Sequence, residues 1–354
     1  MTHSTRVPLS VIIPVYNGQR YLPVCIRSIL CQSFSDFQLI LVNDGSTDRT
    51  PAICDAFAKK DSRVHVIHQN NCGSIAARKA GIFSPWAQQS DYLILSDADD
   101  RWAPHAFARL MEQAYLHDAD TVCGSTRRMW KGLLLPDSYS PPCLQIQSPQ
   151  IYDRQQIHQK LLISCYGVSN FPVTLYAKIY KTALLSQAAD FTPIVKFMGE
   201  DLSLTLRILN LAQKLIIIPD CLYYYRLGGG TSKFMPYMLE DFLSLYRYKG
   251  QFPLPPNAPV LMDIELMNIA DSWLLMCAQQ GRYTPEQLLQ EAQSLCAQPE
   301  MQAAAAHLCS VQTTVHPTAR WITANQQESL AQQASQTARK QAAAFAVKNL
   351  LLRL

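Results

Sequence analysis

Short apolar runs alternate with polar clusters along the first hundred residues of the chain. Four of these runs occupy residues 9–13, 39–42, 64–68 and 92–96. Each run is short and bounded by turn-forming residues, as buried strands are. The stretches between the runs have apolar residues at helical spacing. This alternation predicts an α/β fold with a mainly parallel central sheet flanked by helices.

Each of the four predicted strands is followed directly by a cluster of polar residues. In open α/β sheets, ligands bind in the crevice beyond the carboxyl ends of the strands. Because parallel strands end at the same edge of a sheet, the sequence predicts a polar ligand site there. The clusters are Pro14-Val15-Tyr16-Asn17, Asn43-Asp44-Gly45-Ser46, Gln69-Asn70-Asn71 and Asp97-Ala98-Asp99-Asp100.

The pattern changes after residue 100, where strands and helices no longer alternate regularly. Residues 131–150 contain proline and serine without a clear period, which is typical of a functional or mobile segment. Helices are predicted over residues 21–31, 104–116 and about 201–209, and further strands over 121–129, 173–180 and 215–218.

A proline-rich linker divides the chain near residue 250. It contains Pro253, Pro255, Pro256 and Pro259, and the sequence beyond it has a helical pattern. We expect one domain over residues 1–250, composed of the halves 1–100 and 101–250. A helical domain should follow over residues 251–354.

Composition excludes several classes of protein. The 354 residues are 48% hydrophobic and 16% charged, as in ordinary globular proteins. A net charge of +4, without a basic stripe, argues against nucleic-acid binding. Eleven cysteines without a Cys-x-x-Cys pair argue against a zinc site or a disulfide framework, and favour buried thiols in a reducing compartment. Without a secretory signal or an apolar run of membrane-spanning length, a cytoplasmic location is expected.

Two carboxylates flank one small residue in Asp97-Ala98-Asp99, directly after the fourth predicted strand. Oxygen ligands of this kind suit a hard divalent cation whose remaining positions are filled by water and substrate phosphates. The triplet therefore predicts a site for Mn²⁺ or Mg²⁺. An acidic cap of the following helix is the alternative, and the triplet alone does not decide between them.

Other residues at this edge have the chemistry to bind a nucleotide. Asp44 can accept hydrogen bonds from a base or a ribose, and Ser46 faces the same ligand. Tyr16 could stack on a nucleobase, and Arg78 could reach a base edge or a phosphate. Simpler explanations are a turn with a helix cap, a rim aromatic and a solvated arginine.

Taken together and in this order, the motifs resemble those of the family 2 glycosyltransferases, which have the GT-A fold. The resemblance covers residues 9–233 and is specific in the ordered combination rather than in any single motif. It implies that residues 1–100 bind a nucleotide and residues 101–250 bind the acceptor. The motifs are SVIIPVYN at 10–17, VNDGSTD at 42–48, GSIAARKAG at 73–81, DADD at 97–100 and GED at 199–201.

The resemblance implies a role for each matching position. The donor is expected to be UDP-linked, and Lys79 stands where relatives often have asparagine. The implied contacts are Pro14, Tyr16 and Asn17 for the nucleotide, with Tyr16 near the uracil; Asp44, Ser46 and Arg78 for the base and diphosphate; Asp97 for the ribose; and Asp99, with Asp97, for the metal ion.

Inverting sugar transfer makes two chemical demands on a site. The attacking acceptor hydroxyl needs a general base, and the departing diphosphate needs its charge stabilised by a metal ion. The resemblance implies that Asp201 is the base, with Glu200 as the second candidate. Both residues open a predicted helix, so acids that complement the helix dipole are the alternative explanation.

Tyr224-Tyr225-Arg226 and the glycines after it resemble the segment that closes over the donor in these enzymes. Glycine has the conformational freedom that such a loop needs. Relatives often have a histidine soon after this arginine, and none occurs here before Ser232. The implied diphosphate contacts are Arg226, Ser232 and Lys233.

Residues 339–354 are basic and contain no Asp or Glu, and their apolar residues fall at helical spacing. A basic amphipathic helix suits an anionic membrane surface, which would bring the protein to a lipid-linked acceptor. A helix packed on its own domain or against a dimer partner explains the pattern equally well.

The sequence and the resemblance predict an inverting, metal-dependent glycosyltransferase. It would move a sugar from a nucleotide-sugar donor to a saccharide or lipid-linked saccharide acceptor in bacterial cell-surface polysaccharide synthesis. A sugar-nucleotide nucleotidyltransferase is one alternative, although residues 16–19 lack the glycine-rich basic loop that it needs. A non-catalytic glycan-binding protein is the other, and it would not require Asp97, Asp99 and Asp201 together.

Overall fold

A computed structural model describes residues 7–136, 141–196, 198–228, 235, 237–279, 283–311 and 316–351, with side chains as far as Gln341. The chain divides into two compact units, Met1–Lys233 and Phe234–Leu354. The first unit is an α/β domain and the second is helical. No helix among the described residues is long and apolar enough to cross a membrane.

The amino-terminal half of the first unit is the expected parallel sheet. Its strands lie in the order β3-β2-β1-β4, and the pairs β1–β2, β1–β4 and β2–β3 are all parallel. Val15 pairs with Asn43 and Asp44 with Gln69, so the polar clusters meet at one edge. The elements are β1 (Val7–Val15), α1 (Leu22–Leu30), β2 (Phe37–Asp44), α2 (Thr50–Lys60), β3 (Val64–Gln69), α3 (Ser74–Ile82), α4 (Pro85–Gln88) and β4 (Ser90–Leu95).

The second half of this unit extends the same sheet to ten strands in mixed orientation. Beyond β4 the order continues β9-β6-β10-β5, and β9 runs antiparallel to both of its neighbours. The elements are β5 (Arg101–Trp102), α5 (Ala106–His117), β6 (Thr121–Trp130), β7 (Leu133–Leu134), β8 (Gln150–Asp153), α6 (Arg154–Gln156), β9 (Lys178–Lys181), α7 (Thr182–Ala189), α8 (Glu200–Leu211) and β10 (Lys214–Arg226).

Three segments of this half differ from the expectations. Part of residues 131–150 has regular structure, because β7 forms a hairpin with β6 and β8 begins at Gln150 and pairs with β10. Strand β9 begins at Lys178 instead of near residue 173, because Ala177 has a left-handed backbone with φ of 57°. Strand β10 continues to Arg226 instead of ending near residue 218, because it pairs along its length with β6.

The hydrophobic core of the first unit fills the space between the sheet and its helices. Leu9, Val11 and Ile13 on β1 are fully buried, as are Ile26 and Ile29 on α1. Helix α3 approaches β1 so closely that a Cβ atom on Gly81 would lie 2.3 Å from Cγ2 of Ile12. This approach fixes the carboxyl-terminal turn of α3, which also contains Arg78, against β1.

The second unit contains six helices among the described residues. They are α9 (Met238–Lys249), α10 (Ala258–Gln279), α11 (Pro285–Cys296), α12 (Pro299–Val311), α13 (Pro317–Thr323) and α14 (Gln327–Leu351). The division falls before the expected boundary near residue 250, because α9 packs against α10 and belongs to this unit. Helix α14 packs against α10 and α11. Its buried residues include Leu330, Ala331, Ala334 and Ala338.

Candidate active site

The loops that follow β1 and β2 are joined by Asn17 and Ser46. Asn17 has a left-handed backbone with φ of 50°, which asparagine tolerates. Its Oδ1 accepts a hydrogen bond from the Thr47 N–H at 2.8 Å, and its own N–H donates to Oγ of Ser46 at 2.9 Å. Both residues therefore lie at the predicted edge, where they shape its rim through bonds between loops.

Asp44 organises the loop between β3 and α3. Its buried carboxylate accepts hydrogen bonds from the side chain of Gln69 at 2.8 Å, the Cys72 N–H at 2.9 Å and the Gly73 N–H at 2.8 Å. A carboxylate has about four acceptor positions. One position therefore remains for a donor from a ligand, and base recognition by Asp44 stays a prediction.

Arg78 on α3 lies at the centre of a carboxylate cluster. Its Nη2 is 3.2 Å from Oδ1 of Asp97, and its Nη1 forms an ion pair with Glu200. The same Nη1 lies 3.7 Å from Oδ1 of Asp201, and Oγ of Ser74 donates to Glu200 at 2.7 Å. One guanidinium thus joins the predicted base to the predicted metal-site aspartate. The guanidinium of Arg78 thus lies among protein carboxylates, and its contact with the base or diphosphate of a donor stays a prediction.

Burial and opposite charges set the protonation of this cluster. Desolvation lowers the pKa of Arg78, but Glu200, Asp201 and Asp97 outweigh it and raise the pKa above its ordinary value. Burial raises the pKa of Asp97 to about 7 against the opposing effect of Arg78. Burial also raises the pKa of Asp201, again opposed by Arg78. Burial and Arg78 thus act in opposite directions on the pKa of both aspartates.

The two candidate bases differ in access to a ligand. The Glu200 side chain is 11% exposed and is occupied by Arg78 and Ser74, whereas the Asp201 side chain is 37% exposed. Both acids lie in the first turn of α8, where the helix dipole favours negative charge. The geometry therefore favours Asp201 as the group that meets an acceptor and Glu200 as the group that positions Arg78.

Arg226 forms a second bridge at the end of β10. Its guanidinium pairs with Asp99 and lies 3.9 Å from the centroid of the Tyr21 ring. Its backbone N–H donates to Oδ1 of the buried Asp100 at 2.7 Å, and burial raises the pKa of Asp100 to about 8. Arg226 is therefore the last residue of strand β10, and its contact with the donor diphosphate stays a prediction.

The donor set fits a divalent cation of the Mg²⁺ or Mn²⁺ kind. The side chains of Asp97 and Asp99 are each about one-third exposed, at 34% and 35%. Such cations take one or two carboxylates together with substrate phosphates. Within the described part of the chain, no group of three or more His, Cys, Asp or Glu side chains forms a protein-only cage. Asp99 and Asp97 are thus the residues that would hold the ion.

Two features near the cluster were missed by the sequence analysis. Buried Lys178 donates to the carbonyls of Pro172 at 2.9 Å and of Thr174, and burial lowers its pKa. Tyr176 stacks on Tyr223, whose hydroxyl accepts a hydrogen bond from the Asp97 N–H at 3.2 Å. The sequence does contain a signal for Lys178, which is the only charged residue in the otherwise apolar run 176–180.

Some of the remaining predicted contacts lie at the sheet edge, and others lie outside the described residues. Tyr16 is exposed and Pro14 is half-buried, both at the carboxyl end of β1. Nζ of Lys79 donates to the carbonyl of Phe191 at 2.8 Å and so binds the segment before α8. Ser232 and Lys233 lie outside the described residues.

Comparison with known proteins identifies the family of this chain. Residues 10–155 match the family model described as glycosyl transferase family 2. The chain is 31% identical over 252 residues to the uncharacterized glycosyltransferase EpsJ of Bacillus subtilis, covering 70% of each sequence. It is 32% identical over 230 residues to the glycosyltransferase GlyG of Streptococcus pneumoniae, covering 63% of this chain and 72% of GlyG.

A solved structure extends the likeness to the fold. The crystal structure of S. aureus TarS 1-349 in complex with UDP-GlcNAc matches with a TM-score of 0.66 at 17% identity. The match covers 94% of this chain and 92% of the TarS chain. The chain therefore belongs to glycosyl transferase family 2, and it is a transferase with the GT-A fold.

Proposed function

We propose that this chain is an inverting, metal-dependent glycosyltransferase that uses a UDP-linked sugar donor. One observation carries the proposal: Arg78 brings Asp97 and Asp201 to the same guanidinium at the carboxyl edge of the sheet. These two residues stand 104 positions apart (201 minus 97) in the sequence. In sugar transfer, the carboxylate that holds the donor and the base that deprotonates the acceptor must lie close together, because both act at the same anomeric carbon.

The acceptor hydroxyl attacks the anomeric carbon on the face opposite the diphosphate. The new bond joins the hydroxyl oxygen to the anomeric carbon, and the bond between that carbon and the diphosphate oxygen breaks. Asp201 takes the hydroxyl proton, and UDP leaves with the electron pair of the broken bond. The raised pKa of Asp201 makes it a stronger base than an ordinary aspartate.

Asp99 and Asp97 are the residues proposed to hold Mn²⁺ or Mg²⁺, which when bound supplies positive charge to the leaving diphosphate. Arg226 holds Asp99 in place from the end of β10. Its Nε is buried without a hydrogen-bond partner in the described structure, as is Nε of Arg78. Both N–H groups are closed to solvent, so a diphosphate oxygen would reach them only after the arginine side chains move.

The donor assignment is supported by the comparison and by the geometry of the edge. The TarS structure named above was solved with UDP-GlcNAc. In this chain, Asp44 keeps an acceptor position beside exposed Tyr16 at the same edge, which suits the uracil of a UDP-linked donor. A saccharide or lipid-linked saccharide of the bacterial cell surface is the proposed acceptor. We place the reaction in the cytoplasm, with α14 as a candidate contact to the inner membrane face or to a second copy.

A thermal-shift screen tests the donor half of the proposal. The full chain is heated with UDP, GDP, CDP or ADP, each with and without Mn²⁺. UDP with Mn²⁺ should raise the melting temperature, and Asp99→Asn should lose the part of the shift that depends on Mn²⁺. Asp220→Asn, at an ion pair with Arg109, is the matched control and should behave like the parent. If no nucleotide changes the melting temperature, the assignment of a UDP-linked donor is wrong.

A further inference from the structure

A row of aromatic and basic side chains runs along one face of the sheet towards the tip of the β6–β7 hairpin. Alternate residues of a strand share a face, and paired residues of neighbouring strands do too. Tyr223 pairs with Thr126, Tyr225 with Arg128, and Trp130 with Leu133. We call Tyr176, Tyr225, Arg128, Trp130 and Leu133 the hairpin row.

The inner end of the hairpin row lies beside the carboxylate cluster. The Tyr176 ring stacks on Tyr223 with centroids 4.6 Å apart, and on Tyr225 with centroids 5.7 Å apart. Tyr223 in turn accepts the hydrogen bond from Asp97. Burial raises the pKa of Tyr176, and the charges of Asp97 and Asp100 raise it further. The stacked tyrosines therefore begin where the proposed reaction takes place.

The outer end of the row is exposed to solvent. Trp130 is 52% exposed and Leu133 is 70% exposed on either side of a tight turn at Lys131 and Gly132. Nζ of Lys131 lies 4.6 Å from the centroid of the Trp130 ring. Arg128 of the row is exposed as well, and exposed Lys131 adds a second positive charge at the tip. The outer end of the row therefore presents two apolar side chains beside two basic ones.

We propose that the hairpin row binds the acceptor, and that this acceptor is an anionic saccharide chain bearing phosphate or carboxylate groups. The inference rests on the proposed function and names its acceptor class. Aromatic rings pack against the apolar faces of sugar rings. Arginine recognises phosphate and carboxylate through two parallel hydrogen bonds.

The direction of the row favours a saccharide over a membrane surface. Trp130 and Leu133 alone would suit a lipid surface, but the row continues inward through Arg128 and Tyr225 to the neighbourhood of Asp97. A reactant has to extend along this path, whereas a bilayer contacts only the outer end. Leu134 pairs with Met129 and so lies on the opposite face of the hairpin.

Affinity electrophoresis of the full chain tests the inference. The gels contain poly(glycerol phosphate), polygalacturonate or neutral dextran. The two charged polymers should retard the parent more than dextran does.

Trp130→Ala should weaken this retention about tenfold, as loss of a central aromatic contact does, and Trp130→Phe should restore most of it. Arg128→Gln should weaken retention by the charged polymers only. Tyr115→Ala is the control, because Tyr115 is also 52% exposed but contacts Asp91 near the amino end of β4.

The outcomes separate this inference from the proposed function. Equal retention of the parent and Trp130→Ala, or no retention of the parent by either charged polymer, overturns the hairpin row as the acceptor site. The same conclusion follows if the charged polymers still retard Trp130→Ala but this variant no longer binds phosphatidylglycerol vesicles. That result would assign Trp130 to a membrane surface. UDP-dependent thermal shifts are measured in parallel and should be unchanged in all variants. Failure of the parent to bind UDP would count against the donor chemistry alone.

Discussion

Asp201 and Glu200 are adjacent in the sequence, but the Asp201 side chain is the more exposed of the two. Asp201→Asn keeps the size of the side chain and removes its ability to take a proton. Turnover should fall by about a hundredfold or more, the usual contribution of a general base. The UDP dissociation constant should stay within about threefold of the parent, because Asp201 is not placed on the nucleotide. Steady-state kinetics and calorimetry measure the two effects. Loss of both would assign Asp201 a role in binding or folding.

Glu200 tunes its neighbour through charge. Burial and Glu200 raise the pKa of Asp201, whereas Arg78 and Lys178 lower it. A base acts when deprotonated, so kcat/KM should rise with pH through a pKa above the ordinary aspartate value of about 4. Glu200→Gln removes one negative charge and should move this rise to lower pH. Profiles of kcat/KM against pH for both proteins test the shift. A rise at the same or a higher pH contradicts it.

At the scale of elements, the contact between α3 and β1 positions Arg78. A methyl group at Gly81 would meet Ile12 at 2.3 Å, so Gly81→Ala must push the helix away from the strand. Overpacking of this kind costs about 1–3 kcal/mol. The free energy of unfolding should fall by that amount in denaturant titrations. Gly250→Ala is the control, because its nearest contact would be an ordinary 3.5 Å. Equal stability of both variants would show that α3 shifts freely.

The sequence was sufficient for the parallel half of the sheet and insufficient for the rest. Strands β1 to β4 have apolar runs bounded by turn residues, which are local signals. The end of β10 contains Tyr224 and Arg226, whose strand conformation depends on pairing with the distant β6. Likewise, the contacts of Arg78 depend on α8, which the chain reaches more than a hundred residues later. Such long-range partners leave no periodic pattern in the sequence.

At the scale of the whole molecule, the second unit has its own buried polar centre. Asp263 on α10 accepts hydrogen bonds from Tyr246 on α9 at 2.7 Å and from His307 on α12 at 2.5 Å. Asp263→Leu removes the acceptor of both partners, at a total cost of about 1–3 kcal/mol, because Tyr246 is only half-buried and the His307 side chain, 40% exposed, can bond to water. The melting temperature should fall, and the UDP dissociation constant should not change, because all described site residues lie in the first unit. Ser272→Leu, at an exposed position of the same helix, is the control. A changed UDP affinity with an unchanged melting temperature would contradict this division.

The outer edge of β10 has a consequence for solubility. This strand is thirteen residues long and begins with the apolar run 215–218, which left bare would invite pairing with another chain. Strand β8 covers residues 214–217 and β5 covers Tyr223 and Tyr224, with Pro219 in the interval. These two short strands thus occupy hydrogen-bonding positions of β10 that another chain could otherwise use. The protein can keep a long and strongly apolar strand beside its reactive centre without a continuous free border on which fibrils could nucleate.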